Sequence, residues 1–221
     1  MAQIKFKTKS QKGITLVEII VAVFIIVIFS VMLISNFPKI QDEFAISRAA
    51  YQLAQDLRKT QDLGLSGVPL SDASGNLIVD INGAPMPVRG YGIYILSNSQ
   101  QYIIYADVAD NNGNYDQFYD SGSSQICDSH MNEYADCIKQ TINISQENQN
   151  VYIKNIINGN GQFFINAPSY ASINFSPPAP VTNISPLNSG ESEIGIVLGL
   201  KSDSTSSRTV FVNTSGLISV Q

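Results

Sequence analysis

The chain has 221 residues, with 18 acidic and 13 basic side chains. Four of the bases, Lys5, Lys7, Lys9 and Lys12, precede residue 14; the remaining 9 against 18 acids leave a side-chain charge of −9. That balance disfavours nonspecific attraction to nucleic acid or to an anionic lipid surface, and no Lys/Arg cluster offers a local exception. One histidine, His130, two cysteines and no Gly-rich phosphate loop leave the usual constellations for nucleophilic, phosphoryl or metal chemistry incomplete, so an enzyme is not expected. A carboxylate pair brought together by folding is the one catalytic arrangement that scattered Asp and Glu leave open.

In chain order, residues 1–13 are a short basic leader, and Ile14 to Ile34 is an apolar run interrupted by a single charge, Glu18. A run of 18 or more apolar residues crosses the roughly 30 Å hydrocarbon layer as a helix. The lysines ahead of it predict an N-in, C-out topology in the cytoplasmic membrane. The run is longer than the apolar part of a secretory signal and ends in Ser35-Asn36-Phe37-Pro38, so ordinary signal-peptidase removal is not expected. An ionised side chain inside such a run costs on the order of 2.5 to 3.5 kcal/mol at mid-bilayer, which marks Glu18 as functional. The bland alternative is a signal anchor whose Glu18 snorkels to the cytoplasmic interface.

The stretch Lys12-Gly13-Ile14-Thr15-Leu16-Val17-Glu18 closely resembles the type IV prepilin signature. The resemblance implies cleavage by a prepilin peptidase between Gly13 and Ile14 and N-methylation of Ile14, with the apolar helix retained. Glu18 of one subunit would then pair with the Ile14 amine of a neighbour in a low-dielectric bundle, where an unpaired charge is costly and a hydrogen-bonded pair is tolerated. It further implies other pilins or pseudopilins as partners and an inner-membrane assembly platform driven by a cytoplasmic ATPase.

Residues 14–35 are thus the transmembrane or filament-core helix, and residues 36–66 an amphipathic stalk. In the stalk Ile40, Phe44, Ile46, Ala49, Ala50, Leu53, Ala54 and Leu57 recur at helical spacing to about Gly64. Pro38 removes one backbone donor and predicts a bend or break near Phe37; in pilins such a proline often falls at the place of Ser35 here. Residues 67–221 form a β-rich head. Strands are expected at Tyr91–Leu96, Tyr102–Val108, Tyr115–Tyr119, Val151–Ile157, Gln162–Ile165, Ser172–Phe175, Glu193–Leu200, Thr209–Asn213 and Leu217–Val220. Residues 176–190, rich in Pro, Ser and Asn, are expected to be an irregular exposed connection. The fold class is α+β, a long N-terminal helix packed on a mainly antiparallel sheet, which is pilin-like.

Cys127 and Cys137 lie in the outward-facing region, where a disulfide forms and persists; a metal site is the alternative and needs more Cys or His than are present. Asp107, Asp110, Asn112, Asn114 and Asp116 form an oxygen-rich cluster with two readings. One is a calcium site, as in some pseudopilin heads; the spacing of the central three imitates an EF-hand, yet Tyr115 and Ser121 replace its Gly and Glu. The other is a hairpin turned at Asn112-Gly113. Asn-x-Ser/Thr triplets begin at Asn143, Asn174, Asn183 and Asn213, and in so Asn- and Ser-rich a chain they arise by chance. The head tyrosines read as strand residues of a half-buried sheet or as a stacking surface.

A shorter resemblance is to the GspH/FimT family of minor pseudopilins and minor pilins. It is carried by residues 49–58, by Tyr105-Ala106-Asp107 through Tyr115-Asp116, and by the ending from Arg208 to Val220. Together with cysteines far from the C-terminus, it implies a minor subunit of a pilus, a type II secretion system or a DNA-uptake filament. The competing class is a membrane-anchored adhesin or binding module that never joins a filament.

Overall fold

The computed structural model describes residues 13–72, 74–79, 82–108, 116–119, 125–128, 136–145, 150–162, 170–177, 181–187, 189–203 and 205–221. One helix, α1, spans Leu16–Ser66. By contacts the chain divides into two units, Met1–Gln41 and Asp42–Gln221. Helical backbone continues through Pro38, so the break expected near Phe37 does not occur. Pro38 has no N–H to give to the carbonyl four residues earlier, and one helical hydrogen bond is forgone there.

In the second unit the strands are β1 (Val88–Leu96), β2 (Gln101–Val108), β3 (Gln125–Ile126), β4 (Cys137–Asn143), β5 (Val151–Asn158), β6 (Tyr170–Ser176), β7 (Val181–Ser185), β8 (Glu193–Leu200), β9 (Ser207–Asn213) and β10 (Ile218–Val220). They form a six-stranded sheet, β3-β4-β2-β1-β6-β7, and a four-stranded sheet, β10-β9-β8-β5. Every pairing is antiparallel except β3 with β4. This is the α+β, antiparallel-dominated arrangement that the periodicities predict.

The core follows from period. Ile46, Ala49, Ala50, Leu53, Ala54 and Leu57 put one stripe of α1 against β1, β2 and β6 of the larger sheet and β5, β8 and β9 of the smaller. The three alanines keep that stripe thin and let backbone approach backbone. On β1 and β2 the residues Ile93, Ile95, Tyr102 and Ile104 join this core. Their alternates, Tyr94 and Tyr105, face the other way and form a second cluster with Tyr119.

The smaller sheet's outer strands are both engaged. Arg58 and Gln61 of α1 donate to the carbonyls of Ile218 and Gly216 beside β10. The Ile153 carbonyl of β5 accepts from Asn98, and the Ile153 amide donates to Ser99, both in the β1–β2 turn.

Two expectations need correction. Residues 176–190 are not irregular throughout, because Val181–Ser185 is β7, paired along β6 from Ser176↔Val181 to Ser172↔Ser185. β-Branched Val181, Thr182 and Ile184 suit a short edge strand, and the prolines stand outside it, where no ladder donor is needed. The strand expected at Tyr115–Tyr119 is absent over its described part, 116–119; Gln117 has φ 65°, and Tyr119 instead lays its ring on the tyrosine cluster. Of Gln162–Ile165, Gln162 is not strand and the other three lie outside the described residues.

Candidate functional site

Two places carry the candidate functional residues, one in each unit. In the first, α1 begins after Thr15, whose hydroxyl accepts the Glu18 amide at 3.3 Å. Thr15-Leu16-Val17-Glu18 therefore has the spacing of a capping box, with the carboxylate in the first turn, at the positive end of the helix dipole. Gly13 and Ile14 precede the helix and are exposed, and a Cβ on Gly13 would meet nothing within 4 Å. No contact with the described residues requires glycine at this position.

From Ile14 to Ile34, seventeen large apolar side chains are exposed. At about 1.5–3 kcal/mol for each one buried, roughly 25–50 kcal/mol of apolar transfer is unrealised in this segment. Only hydrocarbon or other apolar helices can supply it. The α1 segment is the one described helix long and apolar enough to cross a membrane.

In the second unit, the face of the six-stranded sheet turned away from α1 carries a buried polar row. Its origin is local: β1 reads Val88-Arg89-Gly90-Tyr91-Gly92, with glycine at two successive positions on that face. A Cβ on Gly92 would lie 2.4 Å from the Tyr105 ring, and one on Gly90 would lie 2.5 Å from Asn174 Oδ1. The side chains of β2 and β6 meet across this groove over β1. The Tyr105 hydroxyl hydrogen-bonds the Ser172 hydroxyl at 2.9 Å, and Asn174 Nδ2 donates to Asp107 Oδ2 at 3.4 Å. The Ser176 hydroxyl donates to Asn174 Oδ1 at 2.8 Å. Tyr119 closes the row, its amide donating to Ser172 Oγ and its ring 4.6 Å from Tyr94 and 5.2 Å from Tyr105. Tyr91, Tyr102, Tyr105 and Tyr119 are buried core residues, so a tyrosine stacking surface is not what this sheet presents.

Asp107 is 1 % exposed, and its Oδ1 has no hydrogen-bond partner among the described residues. Burial pushes its carboxyl up to about 8; the charges of Asp136 and Asp116 add to that, and Arg89 and the Asn174 hydrogen bond oppose it. The sign for stability follows. The folded pKa lies above the unfolded 3.8, so the folded state holds the proton more tightly. This contribution is complete below about pH 3.8 and is lost as the pH rises through 8. In chelator, the unfolding free energy is expected to fall by about 3 kcal/mol between about pH 5.5 and about pH 8, and Asp107→Asn to flatten the slope. Urea titrations at the two pH values measure it; equal slopes in both chains contradict the burial.

Cys127 and Cys137 form a disulfide with a Cα–Cα distance of 4.9 Å, packed with Tyr91, Ala106 and Val108. It joins the short β3 to the start of β4. Of the oxygen-rich cluster, Asp107 and Asp116 are described; Asp110, Asn112 and Asn114, like His130, lie outside the described residues. Asp107 and Asp116 are on different elements: Asp107 is buried in β2, whereas Asp116 is exposed, with its Oδ1 accepting the Phe118 amide. No three His, Cys, Asp or Glu among the described residues are grouped as a ready metal site. Asn174 is buried in β6 and is no glycan acceptor in the folded head.

Reading the sequence missed Asp136, Ser172 and Asn174 as members of this row. Glycines inside a strand pattern are the signal that pointed there, since they mark close approach.

The prokaryotic N-terminal methylation motif matches residues 8–34. Neither a curated protein nor a solved structure matches the chain. That motif, ahead of one long apolar helix and an antiparallel-dominated sheet head, gives the chain a type IV pilin-like arrangement.

Proposed function

We propose that this protein is a minor pilin or pseudopilin, a structural subunit of a type IV pilus, a type II secretion pseudopilus or a DNA-uptake filament, and not an enzyme. The observation that carries the reading is Glu18 as the single charge between Ile14 and Pro38, inside the methylation motif. In this account the precursor waits in the cytoplasmic membrane, N-in and C-out. A prepilin peptidase cuts after Gly13 and methylates Ile14. An assembly platform with its ATPase then moves the chain into a filament, where the apolar surface of Ile14–Ile34 leaves lipid for neighbouring helices at little net cost. The exposed, helix-free Gly13–Ile14 bond suits a peptidase working at the membrane's cytoplasmic face.

The test is the intact mass and N-terminal residue of the protein from cells with and without an active prepilin peptidase. The expected product begins at methylated Ile14 only in the first. A chain that keeps residues 1–13 in both supports the anchored binding module instead.

A further inference from the structure

We propose that Tyr94 and Tyr119 are an oxidative modification site, where a one-electron oxidant joins the two rings covalently and fastens residues 116–119 to β1. The ring centroids are 4.6 Å apart and the planes are tilted by 41°. The pair sits inside a longer array, with Tyr105 5.2 Å from Tyr119 on one side and Tyr170 5.6 Å from Tyr94 on the other. Tilted rings at such separations are in contact. The array follows from register. Tyr94 stands opposite Ser172 and Leu96 opposite Tyr170, so Tyr94 and Tyr170 are diagonal neighbours on one face of the β1–β6 pair.

Composition directs oxidation to these rings. The chain has no tryptophan and its two cysteines are bridged to each other, so tyrosine is the side chain that most readily gives up a single electron. The disulfide itself belongs to surroundings in which oxidised products persist. Exposure is graded along the array, from 0 % at Tyr105 through 8 % at Tyr119 and Tyr94 to 36 % at Tyr170. Tyr170 is therefore where a dissolved oxidant meets the array, and rings in contact pass the electron vacancy inward. Tyr105 is a poor end point, because its enclosed hydroxyl is bonded to Ser172 and has no exposed surface through which to release a proton. Residues 116–119 are not in a strand, and the Tyr119 amide and ring hold them to the sheet at the place where the new bond would form.

The step balances as a two-electron oxidation. Each phenol gives one electron to the oxidant and one proton to water. The two phenoxyl radicals join through ring carbons beside their oxygens, and the hydrogens on those carbons move to the oxygens and restore both phenols. The chain ends two hydrogens lighter, and two equivalents of a one-electron oxidant, such as a peroxyl or carbonate radical, are reduced. The inference does not depend on the filament reading.

The experiment oxidises the full folded chain in detergent with photogenerated ruthenium(III) tris(bipyridine), a one-electron oxidant, and reads dityrosine emission, intact mass and linked peptides. The expected product is a monomer two hydrogens lighter whose link joins the peptides containing Tyr94 and Tyr119. Tyr94→Phe and Tyr119→Phe keep the ring and remove only the hydroxyl, and each is expected to lose that link. Unfolding the unmutated chain in urea before oxidation is expected to lose it too, and Tyr170→Phe to retain it at lower yield. The proposal is overturned by the absence of this link, by its survival in either substituted chain or in urea, or by links formed only between chains through exposed residues such as Tyr51. Full yield from Tyr170→Phe overturns the inward path.

Discussion

Glu18→Gln is expected to enter the membrane and lose residues 1–13 as the unmutated chain does, yet to reach filaments at about one-hundredth of its level. In the proposed filament Glu18 has two roles, and this substitution separates them. As the fourth residue of Thr15-Leu16-Val17-Glu18, whose amide donates to the Thr15 hydroxyl, it stands at the carboxylate position of a capping box, which glutamine fills nearly as well. As the only charge in the apolar segment, it is the only partner the segment offers an Ile14 amine from a neighbouring subunit, and glutamine cannot neutralise it. Leaving that amine unpaired among apolar helices costs on the order of 2.5–3.5 kcal/mol, or roughly two decades in incorporation. Immunoblots of sheared filaments against membranes give the ratio. If Glu18→Gln assembles normally while Glu18→Ala does not, Glu18 is a helix cap and the intersubunit pair is wrong.

Gly64→Ala is expected to lower Tm by roughly 6–12 °C, the largest effect foreseen for one added methyl group. In the last two turns of α1, the position a Cβ would take at residue 64 is 2.2 Å from the Phe175 carbonyl oxygen and 3.0 Å from its carbonyl carbon. Those atoms belong to the backbone of β6, a strand paired on both sides, so no rotamer change relieves the overlap. The helix must lift from the sheet, loosening Leu57 and Phe175 together. Overpacking of this kind costs about 3 kcal/mol, and each kcal/mol shifts Tm by about 2–4 °C at this size. Ser66→Ala, two residues on and exposed, should stay within about 0.5 kcal/mol. A Gly64→Ala chain that melts with the parent removes the close approach from the fold.

Gly64 also illustrates what a sequence conceals. It reads as the end of the amphipathic stripe, but α1 continues to Ser66, and Gly67, at φ 60°, sits where the chain leaves the helix. The glycine needed for packing and the glycine needed for conformation look identical in one dimension. Strands β1, β2, β5, β6, β8, β9 and β10 were legible because alternating apolar residues reflect one buried face. β4 was not, since Lys139, Gln140 and Thr141 dilute its pattern and only Cys137 and Ile142 are buried. β7 was hidden by flanking prolines. The methylation motif was legible because its chemistry is local, with glycine, amine and carboxylate within six residues. The Asp107–Asp136 pair was only half visible. Asp107 stood among other oxygen-bearing residues, whereas Asp136 reaches it solely through the β2–β4 register, which no local pattern specifies.

The engagement of β5 and β10 bears on crowding. A strand with free amides and carbonyls invites the same strand of the next molecule, and repetition at close spacing multiplies that risk. Here Arg58 and Gln61 occupy carbonyls at one border of the four-stranded sheet, and the β1–β2 turn occupies Ile153 at the other. Many copies can therefore be held side by side without their smaller sheets fusing into cross-β ribbons. In the proposed filament, the exposed apolar segment Ile14–Ile34 is then the surface through which copies associate.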